Sequence, residues 1–274
     1  MNILDELIDY IDYAKRYDNY ITGLCPRHPD TRPSFFAYSD WSRCSSCGFS
    51  MPTEKLLAEL SHNPRMVKKA KPFHNPFTRW LREDDLSNVL KTAWSVIKNR
   101  PSTYLIDRGI PAEEQIKLGI GYMEDWYTFP IMNHKKKLIG AVARRGENNP
   151  SPAKYIVPAG QDPNWLYVPN WKNILDKHHL YLTFGILDAV SLYLCGVPSM
   201  STLSGQRLQP SALDHIRKLI YFIPDRGEEE SAHKIATKLG WRGKVIKVNW
   251  PEDSKDCNDL FVKHNNELVS ALRV

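Results

Sequence analysis

The stretch CPRHPDTRPSFFAYSDWSRCSSCG, residues 25–48, constrains the fold of this chain more than any other feature. Cys25 and His28 are separated by two residues, as are Cys44 and Cys47, with fifteen residues between the pairs. A two-residue gap lets one tight turn aim both side chains at a single ion, and two such turns complete a tetrahedron suited to zinc. Four protein ligands leave no open position for water, so the site is expected to be structural rather than hydrolytic. Metal binding there would supply folding energy on the order of 10–16 kcal/mol. Between the pairs the sequence reads as alternating strands. Phe35, Tyr38 and Trp41 can either stack on bases or fill a small core, and the sequence leaves both open. Gly48 suits the turn that closes the second pair. The two cysteines outside this stretch, Cys195 and Cys257, are isolated from each other, which makes a poor disulfide framework.

A chain of 274 residues exceeds one average domain and points to two or three units, with one large domain the alternative. Its composition is 42% hydrophobic and 25% charged, with no apolar run approaching the roughly 18 residues of a membrane span. The start, MNILDELIDYIDYAKRY, carries acids in an amphipathic pattern and lacks the basic flank and apolar stretch of a signal peptide. A cytoplasmic protein with no membrane partner is therefore expected. Net charge is +6, a mild excess compatible with nucleic acid. Between Lys135 and Lys154 stand six basic residues (Lys135, Lys136, Lys137, Arg144, Arg145 and Lys154) against one acid, Glu147. A solvated face and a nucleic-acid track both account for that run.

Ile3, Leu4, Leu7, Ile8 and Ile11 predict a helix over residues 3–16, and TEKLLAEL a second, short one. The stretch SHNPRMVKKAKPFHNP has three prolines and a basic cluster, and reads as a linker ending a first domain, 1–75. A helical stripe resumes in TRWLREDDLSNVLKTAWSVIKN. Two strands follow, YTFPIMN and KLIGAVAR, joined by a turn at HKK, giving a small basic α+β unit over 76–175. From residue 180 strands and helices alternate: LYLTFG, ILDAVSLYLCG, VPSMST, SALDHIRKL, IYFIPD, EEESAHKIATKLG, KVIKVNW, NDLFVKHNNELVSALRV. This predicts a largely parallel sheet covered on both faces, over 176–274. The expected class is thus α/β and α+β multidomain, with functional residues just beyond the carboxyl ends of the parallel strands.

Four acids satisfy that rule. Asp188 follows LYLTFG within one turn, Asp225 ends IYFIPD, and Asp256 and Asp259 follow KVIKVNW. Carboxylates gathered without basic partners repel unless a hard cation sits between them, and magnesium held by one or two carboxylates with substrate phosphates is the usual answer. Acids are also common at helix starts, where capping and the helix dipole favour them; for Glu228, Glu229 and Glu230 that is the default.

These residues resemble the bacterial DnaG-type primases across nearly the whole chain and in the same order. The opening stretch, with DTRPSF, is similar to their zinc ribbon. YLIDRGI, LGIGY, FPI, IGAVARR and AKY are similar to the basic half of the catalytic core. GILDAVSLYLCG, PD and KDCNDLF are similar to the Toprim fold. The resemblance implies that Asp225 and Asp256 hold magnesium or manganese, assisted by Asp188 and Asp259, with Asn258 an alternative to Asp259. It implies that Arg144, Arg145, Lys154 and Tyr155 contact single-stranded template or ribonucleoside triphosphates. Two positions depart from the family pattern. Phe184 stands before Gly185 where the family has glutamate, and Asp225-Arg226-Gly227 replaces two aspartates separated by one residue; Glu228 or Glu229 could substitute for the missing acid.

The implied activity is synthesis of short RNA primers on single-stranded DNA. The chain ends soon after the Toprim segment, so a replicative helicase would be met as a separate protein, and such compactness suits a phage or mobile element. Two alternatives stand beside it: a single-stranded DNA-binding replication or regulatory module that has lost catalysis at Phe184 and Gly227, and a Toprim nuclease or topoisomerase.

Overall fold

A computed structural model of the protein describes residues 2–28, 33–62, 75–149, 151, 153–162, 164–203, 208–214, 216–264 and 267–272. Most of the expected linker, residues 63–74, lies outside the described residues. The chain forms two compact units: Met1–His74 with Ser151–Ala153, and Asn75–Pro150 with Lys154–Val274. Among the described residues no helix is long and apolar enough to cross a membrane.

In the first unit, α1 (Ile3–Leu7) is capped by Asn2, whose side chain accepts from Leu4 N–H. The expected helix over 3–16 stops much earlier. After a 3-10 turn at Ile8–Tyr10 the chain reverses through Tyr13 at φ 58°, and Lys15–Arg16 pairs as β1 with β2 (Tyr20–Gly23). Strand pairing and burial of Ile11 win over local helical periodicity here: a Cβ on Gly23 would lie 2.4 Å from the Ile11 side chain. The antiparallel sheet continues through β3 (Phe35–Tyr38), β4 (Trp41–Cys44) and β5 (Ser50–Pro52). Strict alternation sends Ile21, Phe35, Ala37 and Cys44 into a core closed by Leu56 and Leu60 of α2 (Thr53–His62). The opposite face carries Tyr20, Phe36, Tyr38, Trp41 and Arg43.

In the second unit, the expected single stripe is two helices, α3 (Pro76–Glu83) and α4 (Leu86–Asn99), because Asp85 caps the second by accepting from Asn88 N–H at 2.8 Å. Two short helices follow, α5 (Thr103–Asp107) and α6 (Ala112–Lys117). An antiparallel sheet then runs in the order β6 (Gly121–Met123), β7 (Trp126–Met132), β8 (Leu138–Arg145) and β9 (Tyr155–Ile156).

After β10 (Leu166–Tyr167) and α7 (Trp171–Leu175) come β11 (His179–Thr183), α8 (Ile186–Leu194), β12 (Ser199–Thr202), β13 (Leu219–Ile223), α9 (Glu229–Lys238), β14 (Gly243–Val245), α10 (Cys257–Lys263) and α11 (Leu268–Ala271). The sheet order is β10-β12-β11-β13-β14, parallel except for the edge strand β10. The largely parallel sheet expected from the strand–helix alternation is therefore present. Two of its expected elements are shorter. SALDHIRKL yields a 3-10 turn, Pro210–Leu213, yet Leu213 and Ile216 still enter the core. KVIKVNW pairs only over Gly243–Val245, because β13 runs into Pro224, which has no N–H to extend the ladder.

The two sheets of this unit share a core. Phe129 and Val142 of the antiparallel sheet cluster with Ile186, Leu187 and Val190 of α8. That packing fixes the basic hairpin against the start of α8.

Candidate functional site

The cysteine cluster is assembled as its spacing requires. One ligand atom from each of Cys25, His28, Cys44 and Cys47 falls within 4.8 Å of the others. Cys25 Sγ and Cys47 Sγ stand 3.8 Å apart, the separation of about 3.8 Å that tetrahedral zinc–sulfur bonds of about 2.3 Å impose. Backbone N–H groups of Ser46 and Cys47 point at Cys44 Sγ at 3.3 and 3.4 Å, and the Ser34 hydroxyl lies 3.1 Å from it. Arg27, between the first two ligands, is paired to Glu59 of α2 and lies over the Phe49 ring. Burial, with the neighbouring thiols, pushes Cys25 up to about 12. At Cys44 burial is outweighed by the Ser34 hydroxyl and the backbone donors, which lower it. The soft donor set, with no cationic side chain among the causes of either shift, fits zinc.

At the second site the acids act on one another from separate strand ends, while among the described residues the cluster of possible metal ligands that the structure closes is the Cys25, His28, Cys44 and Cys47 group. Connections leaving β11 and β13 run to opposite sides, α8 packing on β12 and α9 on β14, so the carboxyl ends of β11 and β13 form a topological switch point. Asp188, in the first turn of α8, is buried, and its Oδ1 accepts from Asn258 N–H at 2.8 Å. Gly185 makes this possible: a Cβ there would lie 2.1 Å from Asp188 Oδ2. Asp225 ends β13, and Asp256 caps α10 by accepting from Asp259 N–H at 2.8 Å. Burial, then Asp256 and Asp225, raise Asp188 well above the usual carboxylate range. Burial, then Asp256 and Glu228, push Asp225 up to about 7, against the pull of Lys154 and Lys255. Glu228 Oε2 is buried with no hydrogen-bond partner, whereas Glu229 is exposed and accepts from Gly227 N–H. Of the two substitutes, Glu228 therefore stands beside Asp225.

Asp259 does not join the three. It faces Arg108, 3.7 Å from the guanidinium. Asn258 is a pin: its side-chain amide donates to Arg108 O at 2.8 Å and Ser191 Oγ at 2.9 Å. Phe184 is 7% exposed and packs in the apolar core with Leu166, Met200 and Leu208. Nothing in that setting takes the place of a carboxylate.

On the basic side, Arg144 pairs across the sheet with Tyr127 and Tyr155. Its guanidinium lies 5.2 Å from the centre of the Tyr104 ring, and Arg108 is 5.6 Å from the same ring. Burial raises Tyr155 to about 12; Arg144, Asp188 and the Ile186 N–H all act on its hydroxyl. Lys154 is exposed and acts on both Asp188 and Asp225. Arg145, one residue on from Arg144 in β8, lies on the other face of the sheet. Lys135, Lys136 and Lys137 occupy the β7–β8 turn at the far end of the hairpin, so the basic run splits into two groups. Tyr104 and Arg108 lie within YLIDRGI, and no local sequence pattern marks either as a site residue.

Comparison with known proteins bears on this geometry. No protein-family model matches the chain. It is 22% identical to a DNA primase of Clostridium acetobutylicum, an alignment covering 98% of this chain and 57% of that protein. The chain thus spans little more than half the length of that relative. The zinc-binding and RNA polymerase domains of the Aquifex aeolicus primase superpose with a TM-score of 0.51 at 17% identity, over 99% of this chain and 83% of that one. The fold is that of DnaG-type primases. The RNA polymerase domain of the Mycobacterium tuberculosis primase DnaG gives a TM-score of 0.55 at 16% identity, covering 69% of this chain and 83% of that one. That domain is also solved with a double-stranded DNA carrying a six-nucleotide overhang. The primase fold accounts for both units: zinc ribbon in the first, antiparallel and parallel sheets in the second.

Proposed function

We propose that this chain is a primase that, with magnesium or manganese, joins ribonucleoside triphosphates into short RNA primers on single-stranded DNA. The observation that carries the reading is the placement of Asp188, Asp225 and Asp256 along one edge at the switch point, where Asp225 and Asp256 act on Asp188, Asp256 acts on Asp225, and Lys154 acts on both Asp188 and Asp225. Hard oxygen donors, two of them (Asp188 and Asp225) raised by burial and by neighbouring carboxylates, with Glu228 Oε2 buried and unbonded beside Asp225, fit a divalent cation. Asp225 and Asp256 would hold it, and the cation would supply charge neutralisation for phosphoryl transfer. Lys154 and Arg144 would bind the triphosphate or template backbone, and Tyr155 and Tyr104 hold Arg144 in place. In the reaction the 3′-hydroxyl of one nucleotide attacks the α-phosphate of the next, and pyrophosphate leaves. The domain division follows: a zinc ribbon over 1–75, a Toprim unit over 176–274, and between them a basic half over 76–175 that lends β10 to the Toprim sheet. The exposed face carrying Tyr20, Phe36, Tyr38 and Trp41 would grip the template by stacking.

The test is incubation with single-stranded DNA, magnesium and labelled ribonucleotides, beside an Asp225→Ala variant. Primers that vanish in the variant support the reading. The packing of Phe184 into the core favours a second one, a template-binding module without catalysis, which predicts DNA binding and no product in either protein.

A further inference from the structure

We infer that Arg226 is a positioning residue for the cation site, holding the segment that carries Asp256 against the end of β13; this rests on the reading of that site as cation-binding. Glu228 N–H donates to Asp225 O at 2.9 Å, and Gly227 sits at φ +89°, so residues 225–228 form a tight turn. From this turn the Arg226 side chain reaches onto the chain between β14 and α10. Arg226 N–H donates to Lys255 O at 2.8 Å. Its Nη2 donates to Trp250 O at 3.1 Å and Pro251 O at 2.5 Å, and its Nη1 to Glu252 O at 3.3 Å. Four bonds therefore tie the residue after Asp225 to residues 250–255, and the next residue is Asp256.

β14 ends at Val245, so no sheet pairing holds residues 250–255; besides Arg226, Lys263 and His264 hold the segment at Asp253. A guanidinium is a planar fork of five donors that carries no acceptor, and three carbonyls converging on it use that geometry in a way one ammonium cannot. The same residue is thus excluded from binding the cation and committed to spacing its two ligands.

The experiment is manganese binding to the full, zinc-loaded chain by electron paramagnetic resonance, with hydrogen exchange of residues 246–256 measured in parallel. Arg226→Ala is expected to weaken manganese binding by about 10-fold or more, the usual size of an outer-shell effect, with faster exchange confined to 246–256 and unchanged affinity for single-stranded DNA. Arg226→Lys is expected to recover only a small part. Full recovery with lysine, a fall in DNA affinity with manganese binding intact, or exchange rising through the whole second unit would each overturn the inference. Asp225→Ala separates the two levels. If it leaves manganese binding unchanged, the cation site itself fails; if it abolishes binding while Arg226→Ala does nothing, only the role of Arg226 fails.

Discussion

The cysteine cluster and the acidic edge both crowd together groups that repel when ionised, but the protein treats them differently. Around Cys25 and Cys44 the groups that shift the thiols are other thiols, a hydroxyl and backbone N–H donors. Around Asp188 and Asp225 the protein supplies its own cations, Lys154 and Lys255, and the amide of Asn258. The first cluster also stands in a small core of short strands, with Cys25 and Cys44 themselves part of it. The second stands on the rim of a sheet whose core is complete beneath it. The first cluster is therefore expected to depend on an ion for its fold, and the second to keep its fold without one.

The largest expected effect follows from that contrast. Stripping zinc with a chelator, or Cys44→Ser, should unfold the first unit, since structural zinc sites of this type contribute on the order of 10 kcal/mol or more. Limited proteolysis should then cut within residues 1–74 and leave 75–274 resistant. Equal resistance in both units would break the comparison.

Phe184 sharpens it from the other side. The ring belongs to the sheet core, so Phe184→Ala should cost about 3–5 kcal/mol, read as a lower denaturant midpoint of the second unit. Phe184→Glu places a carboxylate among Leu166, Met200 and Leu208 and should be at least as destabilising at pH 8, less so at pH 5. Recovered or increased primer synthesis in that variant would instead show that the ring replaces a lost ligand.

The acidic edge should also make the second unit sensitive to pH when magnesium is absent. Asp225 is pushed up to about 7, above the unfolded carboxylate value of about 3.9, so within that window the folded chain holds a proton that the unfolded chain has lost. The stabilisation is full below the unfolded value and disappears as the pH rises through the folded one. Asp225 alone sets a limit on the order of 4 kcal/mol. Urea unfolding in magnesium-free buffer should give a falling midpoint from pH 5 to 8, restored by magnesium at the upper end. A flat profile would mean that the carboxylates do not share one field.

The two sites also differ in how far they could be read from the chain. Cys25, His28, Cys44 and Cys47 are near neighbours in sequence, and turn geometry alone aims them at one point. Asp188, Asp225 and Asp256 come from three strand ends, and only the strand–helix alternation, with the rule that function sits at carboxyl ends, gathers them. That reasoning could not separate Asp259 from the others. Its place depends on Arg108, 151 residues earlier in the chain, a contact no local pattern encodes. Nor could it see that Arg226 bonds to residues 250–252 or that Glu228 acts on Asp225, because both depend on the turn through left-handed Gly227. The helix read over 3–16 failed for a related reason: its apolar spacing was real, but pairing of Lys15–Arg16 with β2 lies outside any helical window.

The smallest expected effect concerns the aromatic residues of the zinc ribbon, which the sequence left between core and platform. Phe35 is fully buried, while Trp41 is 46% exposed on the opposite face of the sheet, near Tyr38, whose ring stands 5.5 Å from that of Tyr20. Tyr20 in turn stacks on Tyr17 at 4.7 Å, so a run of rings lies open beside Arg43. Base stacking on such rings contributes about 1–3 kcal/mol per base. Trp41→Ala and Tyr38→Ala should therefore each weaken single-stranded DNA binding by about 5-fold or more, with zinc content and thermal midpoint unchanged. Phe35→Ala should do the reverse, loosening the zinc unit through its core. If the outward variants bind DNA as tightly as the parent, these rings serve only to cover the sheet, and the proposed template contact shifts to the basic hairpin of the second unit.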